Sequence, residues 1–396
     1  MYLLVIFLGM FLGIITGLIP GIHVNLVSIL LLSLSSMLLS YFSELELCVL
    51  LISMVIVHSF LDFIPSIFLG APEESTIFSV LPGHEYLLKG KGYYALKLTI
   101  IGGFGTAIFC LISIPFIVLF LDKLSWLLEL LILPLLIVFS SIFIILEKNR
   151  IWALLIFILS GILGLLVLNG LSLQNSLFPL LSGLFGIPVL IISILNKNKI
   201  CPQRIHKLIR VFNKNRVKNY LSSTLSSLLV SIFPGIGSAQ AAMISKGFSK
   251  NMSSEDFLVT VGGINTAGAL LTLAIFYTLN KTRTGVLSTM SQLIEPSFNN
   301  FVILLLSGII AIGFGVILSL FIGRFFAKNI SKINYTKFSL LIIFVICIMV
   351  FIFTGFIGVF ILSISAAMGL LPPLKNVKRI HSMGCLIIPI IFYYVF

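Results

Sequence analysis

Residues 17–26 read GLIPGIHVNL: a proline, two glycines, a histidine and an asparagine inside sequence otherwise as apolar as lipid. Proline has no N–H to give a helix and its ring clashes with the preceding turn, while glycine admits close approach or a positive φ. A helix entering this stretch breaks at Pro20 and Gly21, and His23 and Asn25 follow directly. Inside a bilayer such a break is either an ordinary proline kink or a place where freed backbone groups bind something.

The surroundings establish that the solvent is lipid. Of the 396 residues, 59% are apolar and 9% charged, and the mean hydropathy is +1.22. Too few charges remain to hold a soluble domain in water. Apolar runs long enough to span recur from end to end, as at 98–121 and 338–353 with its continuation to 371. They run continuously where barrel strands would alternate, so the fold class is an all-α polytopic membrane protein. The first Lys or Arg is Lys89, so the N-terminal run lacks the basic flank of a cleavable signal. Five cysteines without a C-x-x-C pair suggest neither a disulfide framework nor a zinc site. The net charge of +13 does not point to nucleic acid, because the cations sit in short loops between spans, where they set orientation.

The loop 196–219 holds eight Lys/Arg and no acid and is assigned to the cytoplasm. Counting back from it, spans at 177–195, 151–169, 125–146, 97–121 and 47–69 put Lys148, Arg150, Lys89, Lys91 and Lys97 inside. Asp122, Lys123, Glu44 and Glu46 fall outside. Counting forward, residues 220–245 decide the outcome. If they enter and return on one face, spans at 257–279 and 299–323 bring Arg324, Lys328, Lys332 and Lys337 inside. Two further spans bring in Lys375, Lys378 and Arg379, and a last one ends the chain. A single crossing would strand the charges at 324–337 outside, so the hairpin is expected.

The break recurs. Residues 231–240, SIFPGIGSAQ, share P-G-I with the first copy, and Gly237, Ser238 and Gln240 follow Pro234 and Gly235. Each copy precedes five candidate spans, with a long polar connection after the first of them (70–94 and 280–298). An odd number of spans flips the second copy. The expected product is two inverted repeats, each a re-entrant broken hairpin plus about five transmembrane helices. They occupy 1–195 and 220–396, joined by the basic linker 196–219. In such folds broken helix tips meet near the midplane and bind substrate and ions.

Polar residues within the spans supply candidates. Asp62 lies inside a span with His58 four residues earlier on the same helical face, and an intramembrane charge marks ion or proton handling. Residues 70–76, GAPEEST, add Glu73, Glu74 and Ser75, an oxygen-rich segment suited to Na⁺ or a proton relay. GGINTAG (262–268) sets Asn265 and Thr266 in an apolar helix, and NKTRTG (280–285) supplies Lys281 and Arg283 at its end. Arginine's planar fork holds carboxylates bidentately, so an anionic ligand is expected there. No H-E-x-x-H, G-x-S-x-G or Walker pattern occurs, so no ATP hydrolysis by this chain is expected. An intramembrane enzyme or lipid-handling protein using His58 and Asp62 is the alternative from another class, told apart by its product, and a channel is a third, told apart by its lack of counterflow.

These motifs together resemble the large membrane subunit of the tripartite tricarboxylate transporters, and within it the archaeal branch of permeases. The carriers are both P-G breaks, LGAPEESTIFSVLPGHEYLLKGKGYYALKLT (69–99), FPGIGSAQAA (233–242), GINTAGA (263–269), KTRTG (281–285) and LPPLKNVKRIHSMGCLIIP (371–389). The resemblance implies a multi-pass cell-membrane permease that moves organic anions on an ion gradient without a bound cofactor. It implies a translocation site at Pro20, Gly21, Pro234, Gly235, Asn265, Lys281 and Arg283. Bacterial systems of this kind add a small membrane subunit and a periplasmic binding protein. The partners expected are thus a small anion, the lipid bilayer, and either a small membrane subunit or a second copy of the chain.

Overall fold

The apolar runs fold as helices. The computed structural model describes the chain apart from residues 20–23, 70–75, 146, 171–175, 196–200, 206–208, 210, 213, 233–237, 239–240, 243–244, 246–251, 283, 333–334 and 396, and no strand occurs among the described residues. In the first half run α1 (Tyr2–Leu18), α2 (Val24–Ser33), the single turn α3 (Ser35–Leu38), α4 (Glu44–Leu61), α5 (Ile77–Leu88), α6 (Gly92–Ile145), α7 (Arg150–Leu165), α8 (Leu177–Leu181) and α9 (Ile187–Leu195). The second half holds α10 (Lys214–Ile232), α11 (Ser254–Leu279), α12 (Gly285–Ser291), α13 (Phe298–Asn329), α14 (Tyr335–Leu374) and α15 (Gly384–Val395). Among the described residues six helices are long and apolar enough to cross a membrane. The protein is an all-α polytopic membrane protein.

Directions follow from which residues touch. Along α1, added methyls on Gly9, Gly13 and Gly17 would strike Leu50 O, Met54 O and Leu61 Cβ at 2.3, 2.7 and 2.8 Å. Contacts advance together, so α1 and α4 are parallel, and the chain between them returns to the face where α1 began. The second half repeats this. Asn219 Nδ2 donates to Asp256 Oδ1 (2.7 Å), Ser223 Oγ to Thr260 O (3.2 Å) and Ser227 Oγ to Ile264 O (3.2 Å), so α10 and α11 are parallel too. Both following helices open alike. Ser43 caps α4 in a box with Glu46, and Ser253 caps α11 and binds Asp256.

The two halves lie against each other in opposite senses. A methyl on Gly308 of α13 would lie 2.9 Å from Ile56 and 3.7 Å from Leu270, while Asp62 meets Asn265. Moving from 62 back to 56 on α4 thus means moving from 265 on to 270 on α11, and these helices are antiparallel. Neighbours are also exchanged. α4 packs on α13 of the second half, and α11 packs on α6 of the first, so closely that a methyl on Gly262 would sit 2.1 Å from Thr99 O and one on Gly102 1.9 Å from Val259 O. Further along, α7 packs on α15, and α14 packs on α9 and the π-helical turn Ser182–Gly186.

One end of the bundle gathers the basic segments. Arg204 N donates to Gly90 O (2.8 Å), Tyr94 Oη to Glu255 Oε2 (2.8 Å), and Tyr93 Oη to Leu320 O (3.1 Å). The described part of the basic linker, the starts of α6 and α11 and the end of α13 therefore share the end that carries Lys89, Lys91, Lys97 and Arg324.

Two details differ from expectation or sharpen it. The turn expected at Asp122 and Lys123 is absent. The sequence there, LDKL, has no Gly or Pro, and α6 continues to Ile145 with Pro115 and Pro134 inside it. The two spans expected within 338–371 are separated at Gly355, whose φ of +65° only glycine adopts readily. A methyl on Gly358 would lie 3.2 Å from Val350 Cγ1, eight residues earlier, where an unbroken helix would have risen about 12 Å, so the chain doubles back there.

The turn before α7 is pinned to the turn before α15. Buried Glu147 receives His381 Nε2 at 3.1 Å and lies 3.6 Å from Lys378 Nζ. Burial alone would raise its carboxyl, but the His381 bond, the Lys148 N–H and the Lys378 charge outweigh that and hold it below the usual carboxylate range. A depressed acid stabilises the fold above its unfolded pKa and loses that contribution as pH falls through the folded value. Glu147→Gln should thus lower the unfolding temperature by a few degrees at neutral pH, for about 2 kcal/mol lost. The gap to wild type should close as the acid range is entered. Trp152, 4.2 Å beneath Lys375, is the fluorescent reporter, and an unchanged transition at neutral pH would refute the role.

Candidate functional site

Asp62 ends α4, its N–H returning to His58 O (3.0 Å) before the π-helical turn Pro65–Leu69 begins. Asp62 is 1% exposed and His58 5%. His58 Nε2 lies 3.9 Å from Asp62 Oδ2, and His58 Nδ1 lies 3.2 Å from Thr16 Oγ1 on α1. From the other half, Asn265 Nδ2 donates to Asp62 Oδ2 (2.8 Å) and to Ser59 O (3.1 Å). Thr266 Oγ1 sits 3.4 Å from Ser59 Oγ, closing the contact. A carboxylate, an imidazole, an amide and three hydroxyls thus meet where antiparallel α4 and α11 cross.

A methyl on Gly17 would lie 3.2 Å from His58 O and 3.4 Å from Asp62 N, so the last turn of α1 packs beside the backbone of this cluster. Asn265 is midway along α11, so the cluster lies deep in the span. Ionised groups at that depth are expensive, and they persist where an amide or imidazole faces them.

Not every candidate joins this cluster. Asn25 on α2 faces α12: a methyl on Gly285 would lie 3.0 Å from Asn25 Oδ1, which ties the KTRTG segment to the returning arm of the first hairpin. Lys281 is exposed beyond the end of α11, about 24 Å from Asn265 along the helix direction. Ser238 is helical and half-buried. Pro20, Gly21, His23, Glu73, Glu74, Ser75, Pro234, Gly235, Gly237, Gln240 and Arg283 lie outside the described residues. Among the described residues no group of three or more His, Cys, Asp or Glu could hold a metal ion.

Sequence reasoning missed Thr16 and Ser59. Ser59 stands beside His58 in the quoted HSFLD run, and Thr16 is the hydroxyl in the turn before Pro20. Both were legible as polar atoms at break depth. The serine caps Ser43 and Ser253, each with an acid three residues on, were legible too.

The profile described as Tripartite tricarboxylate transporter TctA family matches residues 3–384. The chain belongs to the TctA family. A protein of the archaeon Methanocaldococcus jannaschii described as uncharacterized is 31% identical over 407 residues, which cover 99% of this chain and 98% of that one. No solved structure matches. TctA proteins are a transporter family, so this member is a membrane transporter component and not an enzyme.

Proposed function

We propose that this TctA protein is a plasma-membrane permease that carries small di- or tricarboxylates by alternating access, coupled to an ion. The observation that carries this reading is the hydrogen bond between Asp62 and Asn265. It joins antiparallel helices, each following a proline–glycine break and each parallel to the helix that enters that break. That directionality, with the exchange of neighbours between α4·α13 and α11·α6, supports two inverted repeats that rock about the contact. The basic end of the bundle would face the cytoplasm.

In this reading the two breaks offer backbone N–H groups to the anion, joined by Asn25, Ser238 and the cations of the KTRTG segment. Asp62 couples the ion, with Glu73, Glu74 and Ser75 following it along the chain. A small membrane subunit or a second copy would dock on the apolar outer helices.

Counterflow in proteoliposomes of the purified chain tests the reading: vesicles loaded with unlabelled di- and tricarboxylates should accumulate a labelled member. A channel would show no such accumulation. Arg283→Ala should raise the KM for the anion at least about tenfold, the value of one charge-assisted bond of about 1.5–3 kcal/mol. Wild-type kinetics in that variant would remove Arg283 from the site.

A further inference from the structure

The halves also meet at a helix-end seam far from Asp62. The turns before α7 and α15, with the first residue of α7, carry Lys148, Arg150, Lys375, Lys378 and Arg379, five cations against one acid, Glu147. Two separate counts along the charge pattern, one back from the basic linker and one forward, assign both turns to the cytoplasmic side. The Glu147–His381 bond joins them across 234 residues of sequence. Two contacts set their register: Lys378 Nζ reaches Glu147 Oε2 at 3.6 Å, and Lys375 Nζ lies 4.2 Å from the centre of the Trp152 ring. Residues 147–152 therefore run alongside 375–378. Glu147 is buried in the seam, while Lys148, Arg150, Lys375 and Lys378 are exposed around it, so the acid is withdrawn and the cations are presented.

Orientation in the membrane asks only that cations lie on this side. It does not ask two distant turns to gather them above an apolar stripe, which is what α7 supplies. Ile151, Leu154, Leu155, Ile158, Leu159 and Ile162 are exposed at the three- and four-residue spacing of one helix face. Arg150 opens α7 four residues before Leu154 and so heads that stripe. Arg379 is half-buried, and burial pushes its guanidinium below its usual range. A phosphate beside it would relieve that penalty through a bidentate bond.

We propose that this seam binds the headgroup of an anionic phospholipid of the inner leaflet, with an acyl chain along the exposed stripe of α7. Basic pockets between membrane helices on the cytoplasmic side suit such headgroups. A phospholipid whose chains cover the stripe already carries its phosphate to the height of the cations, whereas a soluble anion must reach them from water. Lys148 and Arg150 belong to the first half and Lys375, Lys378 and Arg379 to the second, so one headgroup bridges the two. The site does not depend on which solute the protein carries.

The test uses the full chain with Trp126→Phe, which leaves Trp152 as its one tryptophan. It is placed in phosphatidylcholine bilayers containing either brominated phosphatidylglycerol or brominated phosphatidylcholine with the same chains, since bromine quenches indole at contact. Phosphatidylglycerol should quench Trp152 with an apparent affinity at least about fivefold higher, the weight of one surface cation. Lys148→Gln combined with Arg150→Gln should bring that preference toward unity, and Arg379→Gln should lower it separately. Lys89→Gln combined with Lys91→Gln, an equal loss of charge elsewhere on the cytoplasmic side, should keep it. Equal quenching by the two lipids in the parent protein, or the same loss in the Lys89 and Lys91 pair, would overturn the site. Inorganic phosphate that removes the preference at constant ionic strength would assign the cations to a soluble anion and overturn the lipid. Each variant must show the parent's unfolding transition, and the pair at the exposed Lys148 and Arg150 carries the test if Arg379→Gln does not fold.

Discussion

Gly262→Ala is expected to abolish recovery of folded protein, although the change adds one methyl group. That methyl would sit 2.1 Å from Thr99 O and 2.7 Å from Thr99 Cα, both backbone atoms that no rotamer change can move. Room can come only from separating α11 and α6, and the partner Gly102 makes the same demand from the other side, at 1.9 Å from Val259 O. Overpacking a rigid contact costs about 1–3 kcal/mol, and the higher end applies where backbone meets backbone. Further losses follow, since separation also strains the Tyr94–Glu255 bond at the end of the same pair. In a membrane, where helices associate by close packing with no hydrophobic drive between them, little else would hold these two together. Gly313 is the control, because a methyl there meets nothing within 4 Å and Ala should be neutral or gain about 0.5–1 kcal/mol. Size-exclusion profiles and unfolding temperatures of the two variants in detergent decide it. Equal behaviour would mean that α6 and α11 do not pack as described.

Asn265→Leu should cut carboxylate counterflow by about ten- to hundredfold while the protein still folds. Leucine keeps the branched outline, with two methyls in place of the amide oxygen and nitrogen, but removes both amide bonds, to Asp62 Oδ2 and to Ser59 O. A hydrogen bond to a charged group contributes about 1.5–3 kcal/mol, and each 1.4 kcal/mol is a factor of ten. Asn265→Asp makes the opposite error, setting a second carboxylate against the first, and should be at least as damaging near neutral pH and partly relieved in acid. Thr266→Val serves as the comparison. Its hydroxyl is 3.4 Å from Ser59 Oγ and touches no charge, so its loss should reduce the rate far less. Wild-type counterflow in Asn265→Leu would show that the bridge is dispensable for transport.

Much of this architecture was legible in the sequence because lipid imposes simple rules. Long apolar runs had to be helices, the basic loops indicated which ends belong together, and Arg204 does meet Gly90 at the end shared with Lys89 and Lys91. α10 lies parallel to α11, while the tip of the hairpin expected over 220–245 falls outside the described residues. The spacing of His58 and Asp62 gave their shared face, since side chains four apart on a helix are neighbours. What could not be read was pairing between distant segments. Nothing local in GGINTAG states that Asn265 will meet residue 62 rather than an anion, because that contact depends on how two halves dock. The same holds for Lys281, which the motif groups with Asn265 but which the rise of α11 carries far from it. The uninterrupted helix through Asp122 and Lys123 was misjudged for another reason: two charges suggested an aqueous turn, while the absence of any breaker allowed helix to continue.

The Asp62–Asn265 bond also fixes an order of events during synthesis. The partners are 203 residues apart. At about 5–20 residues per second, roughly 10–40 s separate the emergence of the carboxylate from that of its amide. Throughout that interval the first half must sit in the bilayer with α4 lacking both α11 and α13. A nascent chain stalled between the two halves would present that face to the quality-control machinery as an unfinished helix with an unmatched acid at its end, and only continued translation would hide it.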